Sequence, residues 1–476
     1  MQYAGEYTIE QLDLFPSSGA GAIDLRQNFL DINLYESIFS SSVSGTITIA
    51  TTDELVANFP IVGQEFLTLK LSTPASGGKT IDFTQSPLLV YKVIGDVKLG
   101  NSGKIITLRF ASPEIIRNYR VRVSKSYKDT TSNIVKDLMG ESHIDTNKKL
   151  FVESSSGVRK LICPNVHPFQ FIKKLTRESL SIESGSPHYL FFENCDGYHF
   201  RTLQSLYGGD QGGNIVRKLH DGEVDVLSAR RGRIQDTFNT MISHDIHTAN
   251  DMIGRTTTGM LGSKVVVHDI FNKSYQTTTF NYLDEFDKFG RIEGRTAGDN
   301  PLYSDGAVDR FGNNVSSFAD SKLHLHPTSN VNDRFDAQHY EQINRDGVDI
   351  NRNPYMSNRV DMWLLSRQSR FVELLDGISI SMQIYGDTNI RAGDMIKLGL
   401  SNPLSDDGID ASTSGDYLIS NLRHHFVNTE SPMHFSFVGA VRDSRPDKVK
   451  DGSQVEPKQN FKFEEIQVNS QSTFRP

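Results

Sequence analysis

The chain has 476 residues, 37% of them hydrophobic and 23% charged, with a formal net charge of −8. This is the balance of a globular chain with room for about two to four domains. The acidic excess and the lack of a basic stripe argue against a nucleic-acid binder, and no apolar run approaches the roughly 18 residues of a membrane span.

Two cysteines, Cys163 and Cys195, make no disulfide framework and read as free thiols. The opening MQYAGEYTIEQLDLF lacks the basic start and apolar core of a secretory signal. Strands are predicted over Tyr7–Phe15, Asn28–Leu34 and Val43–Ile49. In the last of these, Val43, Ile47 and Ile49 share one face and Ser44, Thr46 and Thr48 the other. Thr52 and Asp53 are positioned to cap a short helix through Asn58, which Pro60 ends. Strands then return at Glu65–Pro74, Leu88–Ile94 and Ile105–Phe110, the last two joined through an Asn101-Ser-Gly103 hairpin signal. The strand spacing predicts a barrel or a sandwich.

From Ser112 the texture changes. Helices are predicted over Thr131–Met139 and Pro168–Ser179. In the second, Pro168 suits the first helical position, and Phe169, Ile172 and Leu175 line one face. Tyr189–Phe192 and Tyr198–Phe200 flank an Asp196-Gly197 pair that favours a tight hairpin. A glycine-rich linker, Gly208–Asn214, follows. Further strands are predicted at Val224–Arg233, Phe238–His244, Lys264–Asp269 and Thr277–Tyr282, as candidates to open a second β-domain. Gly290–Asn358 is long, polar and rich in Gly, Asn and Asp, a length of loop usually functional or disordered. A helix over Asp361–Leu375 carries the single tryptophan, Trp363, and Ile378–Ile384 restarts strand alternation. Lys448–Pro476 is polar but keeps Phe461, Phe463, Ile466 and Val468 in a spaced set, suited to ordering on a partner.

The chain contains an internal repeat. EFLTLKLSTP (65–74) aligns without a gap on DMIKLGLSNP (394–403), placing Leu67, Leu69 and Leu71 on Ile396, Leu398 and Leu400. Tyr91-Lys-Val93 answers Tyr417-Leu-Ile419, and Ile105–Phe110 answers His434–Val438. The predicted class is mainly β with an α+β middle domain. The boundaries are a first β-barrel unit over 1–112, the α+β domain over 113–207, strands feeding the second barrel and middle domain over 208–289, a polar loop-rich insertion over 290–360, a second barrel unit over 361–445 and an extended tail over 446–476.

Candidates for chemistry are sparse. His244/His247 would make a ligand pair on a helix, and His324/His326 on a strand, but neither has third and fourth ligands fixed by spacing. Alternation turns His424 and His425 to opposite faces. Asp284-Glu-Phe-Asp287 reads as a solvated acidic turn. Cys163 near His167 lacks an orienting third group. No phosphate loop, nucleophile elbow or zinc-protease motif occurs. No catalytic, cofactor or metal residue is therefore assigned, and the expectation is assembly, with an envelope-degrading or glycan-binding protein as the alternative from another class.

Several motifs together resemble the central baseplate hub subunit of contractile-tailed, myovirus-type phages. They are Ser42–Leu71 with its Gly63-Gln-Glu-Phe-Leu strand, Pro168-Phe-Gln-Phe-Ile followed by Tyr189–Phe200 with its Asn-x-Asp-Gly turn, Gly393-Asp-Met-Ile, and Ser414-Gly-Asp-Tyr-Leu-Ile419. Late-control-type tail proteins and the hub half of type VI secretion spikes share that architecture. The resemblance covers most of 1–445, and the 290–358 stretch departs from its compact pattern. It implies two tube-like β-barrel domains per subunit, and a homotrimer whose six such domains meet the sixfold tail tube or tube initiator on one face and a separate trimeric spike on the other. It further implies baseplate wedge proteins as neighbours, a channel for DNA without specific nucleic-acid binding, no cofactor, assembly in the host cytoplasm and a final place in the virion tail. A hub-like component of a type VI-type injection system is the related alternative.

Overall fold

The structure, a computed structural model, describes residues 3–16, 21–52, 61–74, 79–99, 103–208, 215–221, 234–248, 251–269, 273–288, 290–292, 321–328, 360–402, 409–410, 413–428 and 430–443. The helix expected through Asn58, the strand expected at 224–233, most of the 208–214 and 290–358 stretches and the 448–476 tail lie outside them.

The first unit comprises β1 (Thr8–Phe15), β2 (Ile23–Asp24), β3 (Phe29–Ser37), β4 (Ser44–Thr52), β5 (Phe66–Ser72), β6 (Thr80–Asp82), β7 (Leu88–Leu99) and β8 (Gly103–Ala111). Its spine runs β3-β4-β8-β7-β5-β1, all antiparallel. The inward positions Leu12, Leu14, Ile32, Leu34, Ile47, Leu67, Leu69, Leu71 and Phe110 bury into one core. The alternation read from the sequence causes this, because residues two apart on a strand share a face.

A middle part follows: β9 (Val123–Thr130), β10 (Leu150–Val152), β11 (Val158–Val166), β12 (Tyr189–Asn194) and β13 (Gly197–Thr202). β9 and β11 form an antiparallel pair, and β10-β13-β12 a small mixed sheet. The helix Thr131–Met139 starts where the Thr130 side chain accepts from the Asn133 amide. The helix Pro168–Glu178 starts with proline and buries Phe169, Ile172 and Leu175 against Tyr189, Tyr198 and Phe200. Mainly β with an α+β middle is therefore the observed class.

The second unit uses β14 (Ile215–His220) and β15 (Met241–Thr248), then β19 (Ile378–Tyr385), β20 (Met395–Gly399), β21 (Gly415–Val427) and β22 (Met433–Arg442). Between them in sequence lie β16 (Gly262–Asp269), β17 (Ser274–Asn281) and β18 (Leu323–Thr328). Its spine runs β15-β19-β22-β21-β20-β14, matching the first unit position for position. One pair differs: β14 runs parallel to β20, whereas β1 runs antiparallel to β5.

The ladders fix the equivalence residue by residue. Leu67 lies opposite Leu88, and Ile396 opposite Tyr417. Leu88, rather than Tyr91, is thus the counterpart of Tyr417, which corrects the alignment made on the shared tyrosine. Tyr91 is exposed and Tyr417 is fully buried. Just beyond, both units carry the same irregularity. The register of β7 on β8 shifts between Val90 and Lys92, and that of β21 on β22 between Ile419 and Asn421. A duplicated bulge preserves a duplicated bend. Core volume is kept by exchange: Gly45 faces Phe110 in the first unit where Ile380 faces Ala440 in the second.

Two strand assignments change. Phe238 belongs to a short helix, Ile234–Asn239, and the strand starts at Met241. The strands predicted at 264–269 and 277–282 do not open the second β-domain. They pair as β16 and β17 and, with β18, form a separate sheet, β17-β16-β18. The helix Val360–Asp376 lays Trp363 and Leu365 against Val265 and Phe280 of that sheet.

Candidate functional site

The two β-units are fused along one seam. The second half of β21 pairs with β22 on one edge and with β3 on the other, from Asn421 opposite Ser37 to Val427 opposite Asp31. Arg423 Nε donates to Asn33 Oδ1 at 2.8 Å, and its guanidinium lies 4.9 Å from the Phe437 ring. Phe426 crosses the seam: its ring belongs to the first core, edge-on to Tyr7 at 5.3 Å, while stacking on His434 at 4.0 Å. His434 Nε2 meets His424 Nδ1 at 3.1 Å, and its Nδ1 meets Thr73 Oγ1 of the first unit at 3.0 Å. The His434 ring lies flat on Gly386, where a Cβ would come within 1.9 Å of its Cγ. Burial pushes the His424 pKa down to about 3 and that of His434 well below its ordinary value, so both rings are neutral hydrogen-bonding groups.

The β12–β13 hairpin is the keystone between both units and the middle part. Glu36 of β3 is buried and accepts from the Cys195 amide and the Ala392 amide, each at 2.9 Å. Asp196 accepts from Lys79 Nζ at 2.6 Å and from buried Arg391 Nε at 3.1 Å. Burial works against ionisation of Asp196, but Arg391 and Lys79 outweigh it and hold the pKa low. Gly197 makes the turn at φ 141°, and a Cβ there would meet the Lys149 carbonyl at 2.3 Å.

Glu193, one turn of the hairpin away, is fully buried. Its carboxylate accepts from the Val43 amide and the Ser112 hydroxyl of the first unit, each at 2.8 Å, and from Lys148 Nζ at 2.6 Å. Lys148 reaches Glu114 at 2.9 Å as well. Burial raises the Glu193 pKa, with Lys148 opposing it. On the other side, Arg370 and Arg291 share Glu373, and Arg370 also pairs with Asp443. That network ties the helix Val360–Asp376 to the end of the second unit.

The residues considered for chemistry are not brought together. His244 and His247 sit on β15, not on a helix, so the geometry that pair required is absent. His324 and His326 lie on β18 as a strand pair, and among the described residues no group of three or more potential ligands gathers. Cys163 is buried with its thiol pKa pushed up by burial, while His167 Nδ1 is engaged with the Val121 carbonyl at 2.9 Å. The seam opens on a pocket of about 280 Å³ beside Tyr35, Ser40 and Arg423, just under the roughly 300–1,000 Å³ of small-molecule sites. Among the described residues no helix is long and apolar enough to cross a membrane.

No family model matches the sequence. No curated protein matches it either. Solved structures that resemble the chain are tail proteins, a phage baseplate and type VI secretion components. One is a 43 kDa tail protein of a Shewanella oneidensis prophage, at 8% identity and TM-score 0.49, covering 92% of this chain and 100% of that one. Another is a tail protein from Neisseria meningitidis, at 9% identity and TM-score 0.49, covering 92% and 96%. A third is an E. coli component of the type VI secretion system, described as structurally similar to bacteriophage tail proteins, at 11% identity and TM-score 0.43, covering 93% and 79%. Likeness of this degree carries no functional weight, which falls on the chain's own duplicated units.

Proposed function

We propose that the chain is the central hub of a contractile tail baseplate, a structural protein rather than an enzyme. One observation carries this: two β-units of the same strand order, with the same bulge, are fused edge to edge into a single 14-stranded sheet. A chain that presents one motif twice in fixed relation can match a partner of twice its own symmetry. Three such chains offer six near-equal positions, which suits a sixfold tail tube, while remaining a threefold body on which a trimeric spike can sit.

The division of labour follows the boundaries read from the sequence. The units over 1–112 and 361–445, with strands from 208–289, form the ring. The 113–207 domain joins both units through its β12–β13 hairpin, and baseplate wedge proteins are the expected neighbours of the ring. The ring encloses the channel for DNA, binds no specific nucleic acid and works without a cofactor. The place of action is the virion tail, after assembly in the host cytoplasm.

Mass measurement on the full chain, alone and with the tube and spike proteins of its tail, tests the reading. A trimer, free or formed on the spike, is the expected result. A stable dimer or hexamer with no trimer in any assembly overturns it.

A further inference from the structure

The seam exists twice in the sequence but only once in the fold. β21 joins β3 along Asn421–Val427. By position in the spine, the counterpart of β21 is β7 and the counterpart of β3 is β15. The second equivalence is sharp: β3 starts with Phe29 opposite Ile49 and shifts register before Asp31, while β15 starts with Met241 opposite Ile384 and shifts before Ser243. Yet β7 and β15 do not meet. Beyond Leu89, β7 pairs only with β8, so its other edge from Lys92 to Leu99 has no strand partner among the described residues. Among the described residues β15 pairs only with β19 and ends the sheet. Six strands separate the two edges within the chain.

The open edges carry apolar side chains into solvent. Tyr91 is 45% exposed, Ile94 46% and Val97 60% on β7, and Ile242 is 43% exposed on β15. Unpaired edges with exposed apolar residues template association unless something covers them.

We infer that β7 of one chain pairs antiparallel with β15 of a second copy, repeating between chains the seam that β21 and β3 make within one. The inference rests on the hub reading for the number of chains in the ring. The contact is head-to-tail, since each copy contributes β7 on one side and β15 on the other, and such contacts close into rings or run on as filaments. The register follows from the internal seam. β7 has a second shift, between Val93 and Gly95, that β21 lacks. After it, Val97 holds the place of His425, opposite Ile105 as His425 is opposite Phe435, and Asp245 holds the place of Asn33. His425 faces Asn33 across the internal seam. Val97 of one copy therefore faces Asp245 of the next, and the ladder runs from Gly95–Leu99 against His247–Ser243.

Paired positions on antiparallel strands lie about 4.5–5.5 Å apart at Cα, within disulfide reach. The test is the full-length chain carrying Val97→Cys and Asp245→Cys, oxidised mildly and run denatured without reductant. Both sites are solvent-exposed, so the fold tolerates them. Covalent dimers and trimers are expected from the double variant and none from either single variant. In a second measurement, Val97→Glu sets two carboxylates face to face and is expected to weaken self-association about tenfold, with Asp245→Lys restoring it. A trimer that gives no cross-link overturns the strand assignment and leaves the hub reading standing. Covalent dimers from Val97→Cys alone overturn it in favour of like edges pairing. No trimer from the unmodified chain, alone or on the spike, overturns both.

Discussion

Removing the Glu193 carboxylate strands three donors at once: the Val43 amide, the Ser112 hydroxyl and the Lys148 ammonium. Breaking a buried ion pair from one side costs about 3–5 kcal/mol. Glu193→Ala is therefore expected to lower the unfolding free energy by about that much, read from the urea midpoint. A loss under about 1 kcal/mol would show that the clamp does not hold the middle part to the first unit. Protonation acts at the same scale. Burial holds His188, His199, His424 and His434 below the ordinary 6.5, with His199 at about 4 and His424 at about 3. Below pH 6.5 the unfolded chain binds more protons than the folded one. Their stabilisation is thus complete above about 6.5 and is lost as pH falls toward the folded values. His199 and His424 each account for about 2 kcal/mol between pH 7 and pH 5, and His188 and His434 act in the same direction. Asp394, raised to about 6 by burial, and Glu193 oppose them, being two carboxyls against four rings. The thermal midpoint should fall between pH 7 and pH 5, and the His424→Gln/His434→Gln double variant should lose a large part of that slope. A flat profile in the unmodified chain would contradict the neutral-ring account.

Among elements, β5 and β20 were the most legible, because inward Leu67, Leu69 and Leu71 and their counterparts Ile396, Leu398 and Leu400 keep an apolar period of two. Their cores are separate clusters. Leu69→Ala and Leu398→Ala should each cost about 2–5 kcal/mol, and the double variant should equal the sum to within about 0.5 kcal/mol. Strong coupling would mean that the two cores respond as one. The match of Tyr91 to Tyr417 failed because a shared letter outweighed the register that the bulge sets. The assignment of 264–282 failed for another reason: propensity says that a segment is a strand, whereas its partner is fixed by contacts far along the chain. The keystone was invisible for the same cause. Glu36 meets Ala392 across 356 positions and Glu193 meets Val43 across 150, and no local pattern marks a buried carboxylate. The Asp196-Gly197 turn was the one signal that pointed there.

Over the whole molecule, the seam makes the two units mechanically dependent. Phe426 comes from the second unit and fills the core of the first. Phe426→Ala is expected to cost about 3–5 kcal/mol and, by loosening the seam, to split a single calorimetric transition into two. If the transition stays single at an unchanged midpoint, the units are coupled elsewhere, through the Glu36 and Arg391 contacts of the hairpin.

The reversed direction of β14 gives this architecture a built-in phase. In the six-unit ring proposed above, the five matched spine strands repeat at every position, but the sixth runs one way in odd units and the other way in even ones. Chain polarity sets the slant of amides, carbonyls and side chains along a strand. A neighbour that grips the matched strands finds the same site at every step and has no preferred origin. One that also touches the sixth strand finds an alternating site and can seat itself in only half of the rotations. A single strand inversion is thus enough to make one body commensurate with two different periods.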